Sequence, residues 1–405
     1  MMALKKLFPS LILYFLYSVG AIAQDNIKFN TKDTIAYNDV NSEKVVALGS
    51  LIESSFNSRN QDIFISKFYT NVFIKRILDI NTSIAQNIEY IKPFAQGIQE
   101  GLNKFPAEII TELENGAYYD FVNYRYDDSL QTYYILFRLY TSENGINYHD
   151  YRIHKKEEKM LISDAYIYLS GENLSKSMAR LMGYVMPQKK ILGFIKKSKR
   201  EGANDLFKAL QYKKAGDFQK SYKTLNTITS EISKEKFFLI FKTIIASTID
   251  ENTYLNSLEE LINNYSEDPT IVLNKIDYNI YKGNYFEAIQ LLNQLQENTE
   301  DDFLNYLKAN VAFQDKNFDF ALNNYDYMVQ NYPNFFEGQA GYLNTLVMMK
   351  KYTEATEFID TLISEGYERD SLINYIEEDD AYGENILDIL VKSEPYKSWK
   401  LKTAN

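Results

Sequence analysis

In the C-terminal half of the chain a small residue recurs with a large side chain four positions after it: Ser221 and Leu225, Ser257 and Leu261, Ala288 and Leu292, Ala321 and Tyr325, Ala355 and Ile359. Successive small residues lie 36, 31, 33 and 34 positions apart. An aromatic stands three positions earlier at Phe218, Tyr285, Phe318 and Tyr352, with Gly216 and Gly283 two positions before that, and Pro269 and Pro333 each fall twelve positions after Ser257 and Ala321. Offsets of three and four place these side chains on one helical face. Two antiparallel helices joined by a tight turn approach closely only where one residue at their crossing is small, and the neighbouring large side chains then fill the space beside it. One such pair leaves an outer apolar face uncovered, so the period demands an array in which each pair covers the next.

This grammar resembles the tetratricopeptide-repeat (TPR) family over roughly residues 202–370, with a helical cap to about 400. The first helices depart from the family pattern. They lack its large aromatic and Leu-Gly pair, and only "ALQY", with Ala209 and Tyr212, approximates that half. The resemblance implies a binding role, with ligands lying in the groove lined by the first helix of each pair. Eleven positions before the small residue stand Asp277, Asn310 and Asn344, and Tyr281, Tyr306 and Phe313 occupy neighbouring one-turn offsets. A ladder of amides and a carboxylate beside aromatic faces would suit the backbone of an extended peptide or protein partner. The plainer alternative is a set of solvated helix positions in a chain rich in Asn and Tyr. The paired basic residues by which some TPR proteins hold a terminal carboxylate are not repeated at matching offsets.

Before residue 116 the apolar spacing is helical, as in "LIESSF", "FISKFYTNVFIKRIL" and "FAQGIQEGL", with Pro93 and Pro106 expected to break the run. After Gly116 the segments "AYYDFVNYRY", "QTYYILFRLY", "NYHDYRIH" and "MLISDAYIYLS" are rich in Tyr, Ile, Val and Phe and are parted by short polar stretches. They predict an antiparallel meander. Helices followed by a curved sheet resemble the NTF2-like or cystatin-like cone, a fold that hosts small enzymes and ligand-holding modules alike. The expected fold class is therefore an α+β N-terminal domain plus an all-α TPR-like solenoid.

Lys5 and Lys6 precede an apolar run from Leu7 to Val19 and the small-residue site "AIAQ", the order of a secretory signal peptide cleaved after Ala23. No cysteine is present, so an exported chain of this kind is held by apolar burial without disulfides. With a net charge of −11, polyphosphate backbones are repelled on average, and no nucleic-acid partner is expected. The exception is "KKILGFIKKSKR" over 189–200, which reads as a basic surface for a membrane or acidic partner, or as a solvated linker helix. The organisation expected is a signal peptide at 1–23, an NTF2-like α+β domain at 40–175, a basic helical linker at 176–201 and helical repeats with a cap at 202–400.

Chemistry is sparse. The two histidines, His149 and His154, are five apart on one expected strand and so face opposite sides, which keeps them from sharing a metal. The runs "ENTEDD" and "EEDD" lack the ligand spacing of a calcium loop. No phosphate-cradling loop, nucleophile elbow or zinc-binding helix occurs. These features favour a non-catalytic interaction scaffold without metal or cofactor, exported to the periplasm or cell exterior. The alternative is a small-molecule enzyme or ligand carrier with a pocket in the N-terminal cone. An enclosed pocket holding either histidine beside a carboxylate would favour it, and a cone filled by rings would not.

Overall fold

The computed structural model describes residues 32–81, 88–142, 145–185, 202–379 and 385–402. Residues 1–23, expected to be a signal peptide, and the basic segment 189–200 lie outside the described residues. The chain packs as two compact units, Met1–Tyr278 and Asn279–Asn405. Among the described residues no helix is long and apolar enough to cross a membrane.

Among the described residues the first unit begins with a strap over residues 32–37, followed by the helices α1 (Asp39–Asn57), α2 (Gln61–Lys67), α3 (Thr70–Ile80) and α4 (Ile88–Glu114). A five-stranded antiparallel meander follows, β1 (Tyr118–Asp127), β2 (Thr132–Thr141), β3 (Gly145–Lys156), β4 (Lys159–Ile167) and the short β5 (Glu172–Asn173), with strands neighbouring in chain order. Strand period two sorts the residues of β2. Tyr133, Ile135, Phe137 and Leu139 join the apolar residues of the helices in one core, while Tyr134, Leu136, Arg138 and Tyr140 alternate to the opposite face.

Helix α4 corrects one expectation, since it runs unbroken through Pro93 and Pro106. A proline inside a helix forfeits one backbone hydrogen bond and crowds the preceding turn. Here Ile98, Leu102, Phe105, Ile109 and Leu113 form a buried stripe at helical spacing along the same element. Burial of five such side chains, at about 1.5–3 kcal/mol each for large apolar groups, outweighs that loss.

The first unit continues through α5 (Leu174–Val185), α6 (Ala203–Lys214), α7 (Phe218–Asn226), α8 (Lys236–Ser247) and α9 (Glu251–Asn264) into α10 (Val272–Tyr281), which crosses the boundary between units. Every residue of α8 from Phe237 to Ser247 is buried, as expected of a helix that is apolar nearly all round. Leu206, Leu210, Leu225, Phe238 and Ile245 belong to the same core as the sheet residues. Lys236 fastens the β4–β5 end to these helices, its Nζ donating to the Gly171 carbonyl at 3.2 Å, to Asp268 at 3.0 Å and to Thr270 at 2.6 Å.

The small residues stand where the spacing requires them. Ser221, Ser257, Ala288, Ala321 and Ala355 are all buried, and Ser221 Oγ donates to the Ala209 carbonyl on the paired helix at 2.8 Å. The second unit repeats the arrangement with α11 (Tyr285–Thr299), α12 (Leu304–Gln314), α13 (Phe318–Asn331), α14 (Phe336–Met348) and α15 (Tyr352–Ser364), closed by α16 (Arg369–Glu377), α17 (Asp388–Val391) and α18 (Glu394–Lys402). The architecture is thus an α+β part followed by an all-α run of helix pairs.

Gly341 shows how tight a crossing is, because a Cβ there would lie 2.2 Å from the Tyr325 ring of α13. Gly341→Ala should therefore cost about 1–3 kcal/mol by overpacking. Urea unfolding followed by the fluorescence of Trp399, the chain's one tryptophan, reports this unit. An unchanged midpoint would place α13 and α14 further apart than they are here.

Candidate functional site

The space between the sheet and its helices is packed with rings around His149. On β3, His149 and Tyr151 point into the core with Tyr119 of β1: Tyr119 Oη lies 3.1 Å from His149 Nδ1 and 2.7 Å from Tyr151 Oη. His149 Nε2 meets the Asn147 amide at 3.4 Å. Phe137 stacks on Tyr119 at 5.0 Å, Phe56 meets the same ring edge-on at 4.8 Å, and Phe105 lies 5.5 Å from the His149 ring. Burial drives the His149 pKa down to about 3, so the imidazole is neutral at neutral pH. A neutral imidazole bonded to one phenol and one amide among rings, with no carboxylate in contact among the described residues, orients a core and is not set up as a general acid.

His154 lies on the other side of the strand, as the five-residue offset requires. Its Nδ1 is 3.1 Å from the Asp33 carboxylate, which also binds Arg76 and Arg152. On the same side, Asp150 accepts from Arg125 at 2.7 Å, and burial, opposed by that guanidinium, raises the Asp150 pKa to about 6.

The ladder residues separate by unit and by burial. Asp277, on α10 in the first unit, is buried and accepts from Tyr254 Oη at 2.7 Å. Tyr281, the last residue of that helix, falls in the second unit and is half-buried. Tyr306, on α12, is buried with its ring edge-on to Phe335 at 4.7 Å. A side chain so enclosed presents no ring face to a partner. Phe313 is half-buried and meets Phe318 across the turn at 5.5 Å.

Asn310 and Asn344 are different. Both are half-buried and occupy equivalent places on the first helices α12 and α14. Asn310 Oδ1 accepts from Tyr325 Oη at 2.5 Å, so the oxygen is committed and the amide nitrogen remains for another acceptor. Asn344 shares a hydrogen bond with the Tyr375 hydroxyl of α16, while its Oδ1 is buried without a hydrogen-bond partner. Burial raises the pKa values of both tyrosines, which keeps them protonated at neutral pH. Asn310 thus keeps an uncommitted amide donor, and Asn344 an enclosed, unpaired acceptor, each beside a phenol. Sequence reasoning treated Tyr325 as packing alone and missed Tyr375, which lies in the cap beyond the repeat template.

No protein-family model and no curated protein matches the chain. Two solved structures align with part of it at 14% identity and a TM-score of 0.33: MamA of AMB-1, over 42% of this chain and 96% of that one, and a mutant of MamA, over 43% and 97%. A likeness of that depth carries no argument about function.

Proposed function

We propose that the chain is an exported, non-catalytic protein-interaction protein whose second unit holds an extended peptide segment of its partner along the first-helix face. Asn344 Oδ1, enclosed in the unbound chain, accepts a main-chain N–H of that segment once its side chain turns toward the face, and the Asn310 amide donates to a main-chain carbonyl. The observation that supports this reading most is the orphaned acceptor of Asn344. A buried polar atom left unpaired costs about 1–3 kcal/mol, which an incoming N–H would recover. A rigid, preformed helix face also reduces the ordering cost of association.

The test begins with peptides selected from a random display library on the mature chain. The tightest should bind Asn344→Ala about tenfold more weakly, as expected for one hydrogen bond to a desolvated acceptor. Asn310→Ala should weaken binding to a similar or smaller degree, because its nitrogen is less enclosed. Equal Kd values for wild type and both variants, measured by titration calorimetry, would remove the amide pair from recognition.

A further inference from the structure

The side chains around Asp33 form a receptor for a carboxylate. Its Oδ1 accepts from Arg76 Nη2 of α3 at 2.7 Å and lies 3.1 Å from His154 Nδ1 of β3, while Oδ2 accepts from Arg152 Nε at 2.7 Å and also from Arg152 Nη2. Arg76 Nη2 additionally reaches Ser163 Oγ of β4 at 3.3 Å. One guanidinium on Oδ2 through two nitrogens, with a second guanidinium and an imidazole on Oδ1, surrounds both carboxylate oxygens with charge-assisted donors.

Two features distinguish this cluster from an ordinary ion pair. The wall keeps a donor that its occupant does not use: Arg76 is almost fully buried, yet its Nε has no hydrogen-bond partner. The nearby Asp164 is already engaged by Ser175 and two backbone N–H groups. The occupant, in turn, arrives on a strained segment. Thr34, beside Asp33, has φ of +46°, a left-handed conformation that a β-branched side chain resists. The strap is held further along by Ile35 N–H to the Gln131 carbonyl at 2.8 Å and by Tyr126 Oη to the Ile35 carbonyl at 2.7 Å.

We propose that Arg76, Arg152, His154 and Ser163 form a binding site for small carboxylates, and that Asp33 closes it as an internal stand-in. An outside carboxylate enters by displacing Asp33 and releasing the strain at Thr34. Closure lowers apparent affinity by the fraction of molecules in which the strap is open.

Acetate is the probe. Asp33→Ala removes the stand-in and leaves a space of acetate size, so acetate should raise its melting temperature saturably, whether it is folded or unfolded without acetate. Sodium chloride at equal ionic strength and acetamide should not. Wild type should bind acetate at least tenfold more weakly, read from the His154 ring resonances in a titration, and Asp33→Ala/Arg152→Ala should lose the response. Absence of a saturable acetate effect on Asp33→Ala, or an equal effect of chloride, overturns the proposal. Binding to wild type as tight as to Asp33→Ala would overturn the stand-in role.

Discussion

Trp399→Ala is expected to lower the unfolding free energy of the second unit by about 3–5 kcal/mol, the range for truncating a large buried aromatic side chain. Trp399 lies in the terminal cap and shares a core with Leu343, Phe358, Ile359, Leu372 and Tyr396. Its ring stacks on Tyr396 at 5.4 Å with planes 29° apart, the Arg369 guanidinium lies 5.1 Å from it, and Nε1 donates to Asp360 at 2.6 Å. An array of helix pairs leaves the outer face of its last member apolar, and the cap exists to cover it. The aromatic body and the N–H can be separated experimentally. Trp399→Phe keeps most of the burial and loses the hydrogen bond to an exposed carboxylate, which water replaces, so it should cost only about 1 kcal/mol. Urea unfolding followed by circular dichroism gives both values. A loss below about 1 kcal/mol for the alanine variant would mean that the cap adds little to this core.

The repeat was legible because a helix crossing is a local steric demand repeated at a near-constant interval. Ser221, Ser257, Ala288, Ala321 and Ala355 announce it by spacing alone, and all five are buried. The strands were legible for a similar reason, since period-two alternation and short polar turns are written within each hairpin. Pro106 misled because its local preference is real but is overridden by the stripe from Ile98 to Leu113. The ladder was legible in register and obscure in burial. Equivalent offsets put Asn310 and Asn344 on matching helices, but whether Tyr306 faces outward or packs on Phe335 depends on the neighbouring helix. The Asp33 cluster had no sequence signal, because its partners lie 43, 119 and 121 positions away and no motif fixes such distances. Tyr375 was hidden in the same way, acting on Asn344 from an element outside the repeat.

Asp277→Asn is expected to remove the larger part of a decline in stability that wild type shows as the pH rises from about 4 to about 7. Asp277 is fully buried, and burial pushes its carboxyl up to about 7, partly offset by the bond from Tyr254. The unfolded chain titrates near 3.9. A raised folded value means that the folded state holds the proton more tightly. Its contribution is therefore fully present below the unfolded value and is lost as the pH climbs through the folded one. A shift of this size corresponds to about 4 kcal/mol between the two limits, as an order of magnitude. Asparagine keeps an oxygen for the Tyr254 hydroxyl but cannot ionise, so the variant should gain on wild type by up to that amount at pH 8. Asp150, also raised by burial, to about 6, declines over part of the same range in both proteins and cancels in the difference. Urea unfolding at a series of pH values reads that difference directly, and parallel curves for the two proteins would place the Asp277 carboxyl in water. A carboxyl buried and half-neutral near pH 7 is a poor rung for a solvent-facing ladder, which is why the proposed recognition rests on Asn310 and Asn344, whose half-buried side chains carry no charge at any pH.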